Sequence, residues 1–187
     1  MRLFVALDFP DAIRDAIRDL IARLKPLCKD ARWVRPEGMH VTLKFIGYTE
    51  PEKLEKITAA LAGVHSSAPV EMRFRGVGFF PTERRPRVFW GEIKASKNLG
   101  ELASGIENAL VPLGIPAEKR EFLPHLTFAR FESPKGTAKL LDAAKDFQSL
   151  DLGATRETEF HLYESILHRS GAEYTKHKSF AFVKETT

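Results

Sequence analysis

Cysteine is nearly absent: Cys28 is the only one in 187 residues. No internal disulfide can form, which suits a reducing compartment, and the expected location is the cytoplasm. Neither Cys28 nor any of the six histidines has the spacing of zinc ligands, so no metal and no cofactor is expected. No apolar run approaches the roughly 20 residues that a membrane-spanning helix needs, so no membrane partner is expected. The opening Met1-Arg2-Leu3-Phe4-Val5-Ala6-Leu7-Asp8 is too short for a signal peptide and reads as a strand. Linkers and low-complexity tracts are missing too. Charge of one sign is only slightly in excess, with 29 basic against 25 acidic residues and a formal +4. That favours a polyanionic partner mildly and no more. The 43% apolar and 29% charged content is ordinary for a globular chain. A chain of this length fits one domain, or two small lobes sharing a core, burying about 70% of its unfolded surface.

Periodicity gives the elements. Ile13, Ile17, Leu20, Ile21 and Leu24 recur at helical spacing after Pro10, predicting a helix over about 10–28 with Asp8 and Asp11 at its positive end. A short strand at 31–35 stops at Pro36-Glu37-Gly38, and a strand over 39–46 follows. Leu54, Ile57, Leu61 and Val64 form the stripe of a second helix. Strands are expected at 70–80 and 87–94, joined by the arginine-rich Pro81–Pro86 loop. Leu99, Leu102, Ile106, Leu110 and Leu113 form a third helix, ended by Gly114 and Pro116. A strand at about 124–131, a short helix near 135–146 and long strands at 156–167 and 173–183, turning at Ser170-Gly171-Ala172, complete the chain. Helices interspersed with hairpins argue α+β with mostly antiparallel pairing.

Within this pattern four residues occur twice, as His40-Val41-Thr42-Leu43 and His125-Leu126-Thr127-Phe128. On a strand, side chains alternate, so His40 and Thr42 share one face while Val41, Leu43 and Phe45 take the other. In the second copy His125 and Thr127 stand opposite Leu126 and Phe128. Thr49-Glu50-Pro51 and Ser133-Pro134 each introduce a helix after the motif, so the copies read as an internal repeat on two similar lobes. Imidazole titrates near neutrality, which suits one histidine to take a proton from water and the other to give one to a leaving oxygen. A hydroxyl on the same face can bind a phosphate oxygen.

These two strands resemble the motif strands of the 2H phosphoesterase superfamily, as do Arg2-Leu3-Phe4-Val5-Ala6, the stretch His40 to Gly47 and Arg85-Pro86-Arg87-Val88-Phe89-Trp90. Length and flanks are most similar to its RNA 2',3'-cyclic phosphodiesterases, also called 2'-5' RNA ligase-like proteins. The resemblance implies a two-lobed, pseudo-twofold α+β fold of antiparallel sheets with outer helices and a central cleft. It makes residues 1–187 one 2H phosphoesterase domain whose lobes each carry one His-x-Thr motif. It also implies opening of a 2',3'-cyclic phosphate at an RNA end to a 2'-phosphate. By position, His40 would be the proton donor, His125 the proton acceptor, and Thr42 and Thr127 the ligands of non-bridging oxygens. The partner would be RNA with such an end, acted on by a monomer.

Weaker signals surround these four. His168-Arg169-Ser170 and His177-Lys178-Ser179 fit a looser pattern but have charged middle residues and read as surface. His65 reads as a helix-end residue, and His161 has no evident partner. Arg130 lies five residues past His125, where strict alternation aims a guanidinium into the core, an expensive place for it. The resemblance implies an arginine at this place, so the strand would bulge or end there; support of the phosphate site and a structural ion pair are the two alternatives. Arg84, Arg85 and Arg87 are candidate RNA-backbone contacts by charge. Phe79, Phe80 and Trp90 could stack bases, although aromatics in strands more often fill cores. The competing functions are 2'-5' ligation, hydrolysis of a small cyclic nucleotide, and non-catalytic RNA binding. Intact pairs of His and Thr argue against the last, since binding alone needs no paired acid and base.

Overall fold

The alternation in the opening residues is realised as β1 (Arg2–Leu7) in the computed structural model, which describes residues 1–169 and 171–183. Leu3, Val5 and Leu7 enter the main core, while Phe4 and Ala6 join Tyr163 in a separate small cluster on the opposite face. The helix α1 (Asp11–Leu24) follows and buries the five aliphatics of its predicted stripe, each worth roughly 1.5–3 kcal/mol on removal from water. It ends four residues short of the expected 28. Pro26 has no N–H with which to continue the helical ladder, and Lys25–Leu27 tighten into a 3-10 turn.

Next come β2 (Arg32–Trp33), a 3-10 turn at Pro36–Gly38, and the first motif strand β3 (Val41–Tyr48). After α2 (Leu54–Ala62) the chain runs through β4 (Val70–Phe80), β5 (Val88–Ala95) and α3 (Asn98–Leu110). The second motif strand is β6 (His125–Arg130), followed by α4 (Ala138–Ala144), β7 (Asp151–Glu157), β8 (Glu159–His168) and β9 (Gly171–Ala181).

β1-α1-β3-α2 is echoed by β5-α3-β6-α4, and each motif strand pairs antiparallel with the first strand of its own half. The other strands are exchanged between halves, giving sheets of order β3-β1-β8-β9 and β2-β6-β5-β4-β7. From the motif strand outwards, β3, β1, β8, β9 correspond to β6, β5, β4, β7, and β2 adds an edge to the second sheet. This is the expected pseudo-twofold α+β arrangement. Leu3, Val5, Leu7 and Val41 of one sheet share a single apolar core with Met72, Phe74, Phe89 and Phe128 of the other. Both motif faces lie on the sides turned away from that core.

Sequence reading missed β7 and treated 156–167 as one strand. The two strands are separated by Thr158 alone and belong to different sheets. Only Leu152 of β7 is buried, so its alternation is too weak to announce a strand. The expected turn at 170–172 falls partly on residue 170, outside the described residues.

Candidate active site

Both motif strands bulge at the same place. In β3, Thr42 pairs with Ala6 and Lys44 with Val5, leaving Leu43 as the extra residue. In β6, Thr127 pairs with Trp90 and Ala129 with Phe89, leaving Phe128 as the extra residue. A bulge resets the alternation. Leu43 and Phe128 stay in the core, and the residues beyond them change faces. Phe128 fills the space of a missing side chain: a Cβ on Gly91 would collide with its ring.

Two consequences correct or extend the sequence reading. Phe45 does not oppose His40. It pairs with Phe4, lies 6.1 Å from that ring between centroids, and is 69% exposed on the histidine face. Arg130 pairs with Val88, which lies two residues from Trp90 and so on Trp90's face, and it is exposed beside Arg32 of β2. The bulge thus turns the guanidinium out of the core and onto the face of His125 and Thr127. Arg32, directly across the strand pair, is itself paired with the Glu132 carboxylate.

The bulge also aims Lys44 inward. Its ammonium is buried, donating to Glu107 Oε2 and to the Pro116 carbonyl, both at 2.7 Å. The same Glu107 oxygen accepts the backbone N–H of Glu118 at 3.2 Å. The strand that His40 leads into is therefore tied to the irregular segment that leads into His125. Sequence reading found no signal for this strut.

His40 is delivered by the Pro36–Gly38 turn, which Arg14 clamps by donating Nη1 to the Pro36 and Met39 carbonyls at 2.5 and 3.1 Å. The imidazole sits among the rings of Phe4, Tyr163 and Tyr174, with centroids 5.7, 4.4 and 5.2 Å away. Burial pushes its pKa down to about 4, opposed by the Asp8 carboxylate and by a hydrogen bond to the Gly38 carbonyl; Arg14 and Lys176 push it down further. Asp8 Oδ1 lies 3.6 Å from Nε2. Asp8 is thus part of the site, not merely a charge at a helix end. It accepts Tyr163 Oη–H at 2.7 Å and Lys176 Nζ at 2.8 Å. His161, for which the sequence offered no partner, lies 3.5 Å from Asp8 through Nε2 and bonds Ser179 Oγ through Nδ1 at 2.8 Å.

His125 is exposed, with Trp90 at 6.1 Å between ring centroids. Its Nδ1 is 2.8 Å from the Leu123 carbonyl. A carbonyl only accepts, so Nδ1 carries the proton and Nε2 is left as the basic nitrogen of the neutral ring. The Gly38 carbonyl likewise lies two residues upstream of His40 and favours its charged form. Thr42 and Thr127 are half-buried beside their histidines.

The remaining candidates separate. Arg84 and Arg85 are exposed in the loop, whereas Arg87 donates to the Glu132 carbonyl and braces the turn after β6. Phe79 stacks on Phe89 in the core, while Phe80 is 58% exposed. His168 and His177 pair with Glu173 and Glu164 on the β8–β9 hairpin.

The family model described as LigT like Phosphoesterase matches residues 7–90 and 93–174, two stretches that each contain one motif. An RNA 2',3'-cyclic phosphodiesterase of Archaeoglobus fulgidus is 34% identical over 174 residues, covering 93% of this chain and 96% of the relative. One of Methanothermobacter thermautotrophicus is 30% identical over 181 residues, covering 96% and 98%. The crystal structure of TT0787 of Thermus thermophilus superposes over all of both chains with a TM-score of 0.81 and 28% identity. That of E. coli LigT complexed with NADP+ matches over 98% of each chain with a TM-score of 0.76 and 26% identity. With both halves matched and the relatives spanned almost end to end, the chain belongs to the LigT-like, or 2H, phosphoesterase family.

Proposed function

We propose that the chain, one domain of two lobes, hydrolyses 2',3'-cyclic phosphodiester ends of RNA to 2'-phosphomonoesters by paired-histidine catalysis. The observation that carries this is the repetition of one device on both sheets: a histidine two residues before a threonine, and a bulge at the residue after that threonine. The relatives named RNA 2',3'-cyclic phosphodiesterase support the substrate.

In this reading His125 Nε2 accepts a proton from water as the water oxygen bonds to phosphorus. The bond from phosphorus to the 3'-oxygen breaks, and His40, protonated at Nε2, gives that oxygen its proton. The product keeps its phosphate on the 2'-oxygen. Thr42 and Thr127 donate hydrogen bonds to the non-bridging oxygens, and Arg130 adds charge beside them. The bound phosphate anion raises the proton affinity of His40 from its low value in the free protein. Phe45 and Phe80 present rings on which bases can stack, and Arg84 and Arg85 attract the backbone.

The test is an assay of a 2',3'-cyclic-phosphate oligonucleotide beside a cyclic mononucleotide, in EDTA, with the product's phosphate located by NMR. A 2'-phosphate at an undiminished rate is expected. A 3'-phosphate, or activity that EDTA abolishes and zinc restores, contradicts the mechanism.

A further inference from the structure

We propose that Asp8, held by Tyr163 and Lys176 with Oδ1 3.6 Å from His40 Nε2, is the positioning residue that loads His40 with its proton. This rests on the reading of His40 as the proton donor.

A donor must be charged before it gives, and the pocket of His40 works against charge. Three rings surround it, and its side chain is 9% exposed. Arg14 of α1 and Lys176 of β9 both disfavour the imidazolium. Among the described residues, Asp8 is the one carboxylate within 4.0 Å of the ring. Burial alone would raise the Asp8 carboxyl, but the hydrogen bonds from Lys176 and Tyr163 outweigh it and hold the group below its ordinary range. Tyr163 of β8 is itself pushed up by burial and by Asp8, so it stays a donor. His161 of β8 is pushed down, by burial first and then by Lys176, against the opposing charges of Asp8 and Glu159, and so stays neutral. Tyr174 of β9 completes the wall. Asp8 thus remains an anion across the working range.

The distance suits this role. At 3.6 Å the contact is too long for a hydrogen bond, so Nε2–H is not captured and remains available to a leaving oxygen. It is short enough for a strong effect through space, since an opposite charge within about 4–6 Å shifts a pKa by about 1–3 units.

The experiment is an NMR titration of the His40 ring in the full chain, for wild type, Asp8→Asn and Lys176→Met, with pH profiles of kcat/KM on 2',3'-cyclic AMP. Asp8→Asn should lower the His40 midpoint by about one pH unit, cutting the imidazolium about tenfold at a given pH. Lys176→Met, at an exposed position, should move the midpoint up, because a repelling cation is gone. The kinetic limb should follow in both variants, with KM unchanged. A purely structural role would not give opposite signs. An unmoved His40 midpoint in Lys176→Met overturns the inference even if Asp8→Asn fails to fold, and so does a kinetic limb that ignores the midpoint. Full activity in His40→Ala would instead overturn the underlying reading of His40, while the midpoints would still report on Asp8.

Discussion

Leu43 and Phe128 are equivalent residues: each stands three positions past a motif histidine and each is the extra residue of a β-bulge. Because of the second bulge, Arg130 faces the side of its sheet that carries His125 and Thr127. Replacing it by Ala should lower kcat/KM by about 10–100-fold, the usual worth of a charge-assisted contact, with Lys partly restoring it. Steady-state kinetics with unchanged thermal stability would support this. A loss of stability with intact kinetics would make Arg130 structural.

The burial of His40 has a sign that can be checked in folding. Its pKa is about 4 in the folded protein against 6.5 when solvated. The unfolded chain therefore binds more protons between these values, and stability falls as pH drops from 6.5 towards 4. The full effect is about 3 kcal/mol. Urea titrations across this window should show the slope in wild type and lose most of it in His40→Ala. Equal slopes would mean that His40 is not held neutral by burial.

Lys44 and Glu107 should behave as a coupled buried pair. Lys44→Met alone leaves a carboxylate uncompensated and should cost about 3–5 kcal/mol, whereas Lys44→Met with Glu107→Leu should recover most of it. If the strut also sets the approach of the segment before His125, the double variant will fold yet turn over slowly. A fully active double variant would reduce the pair to a packing detail.

Arg84 and Arg85 supply charge outside the catalytic faces, whereas Arg87 is engaged with Glu132. Changing both to Gln should weaken binding of an oligonucleotide and flatten its salt slope by about 0.7 per lost phosphate contact. Turnover of a cyclic mononucleotide should change little. Equal losses on both substrates would place the loop in the fold or the catalytic centre.

Much of this site is legible in the sequence because alternation and helical spacing are local. The His-x-Thr pairs, the five buried aliphatics of α1 and the paired halves follow from residues a few positions apart. What stays hidden depends on contacts between distant segments. A one-residue bulge leaves no mark in a run such as Val41–Phe45, so Phe45 reads as core when it is exposed, and nothing announces that Lys44 turns inward. Asp8 reads as a helix-end acid because Tyr163 and Lys176, which hold it, lie more than 150 residues away. Arg130 is the instructive intermediate: alternation shows that a guanidinium would be buried at a cost, and only the family resemblance suggests that the strand bulges or ends there.

The central claim is that two histidines at the starts of equivalent strands act as one acid–base pair. Single-turnover cleavage of a 2',3'-cyclic-phosphate RNA by His40→Ala, His125→Ala and the double variant tests it most directly. Each single change should slow the step by at least about 100-fold, and the double variant should be little slower than the worse single one, because the pair works as a unit. A single variant that cleaves at the wild-type rate, or losses that multiply as for independent sites, would contradict it.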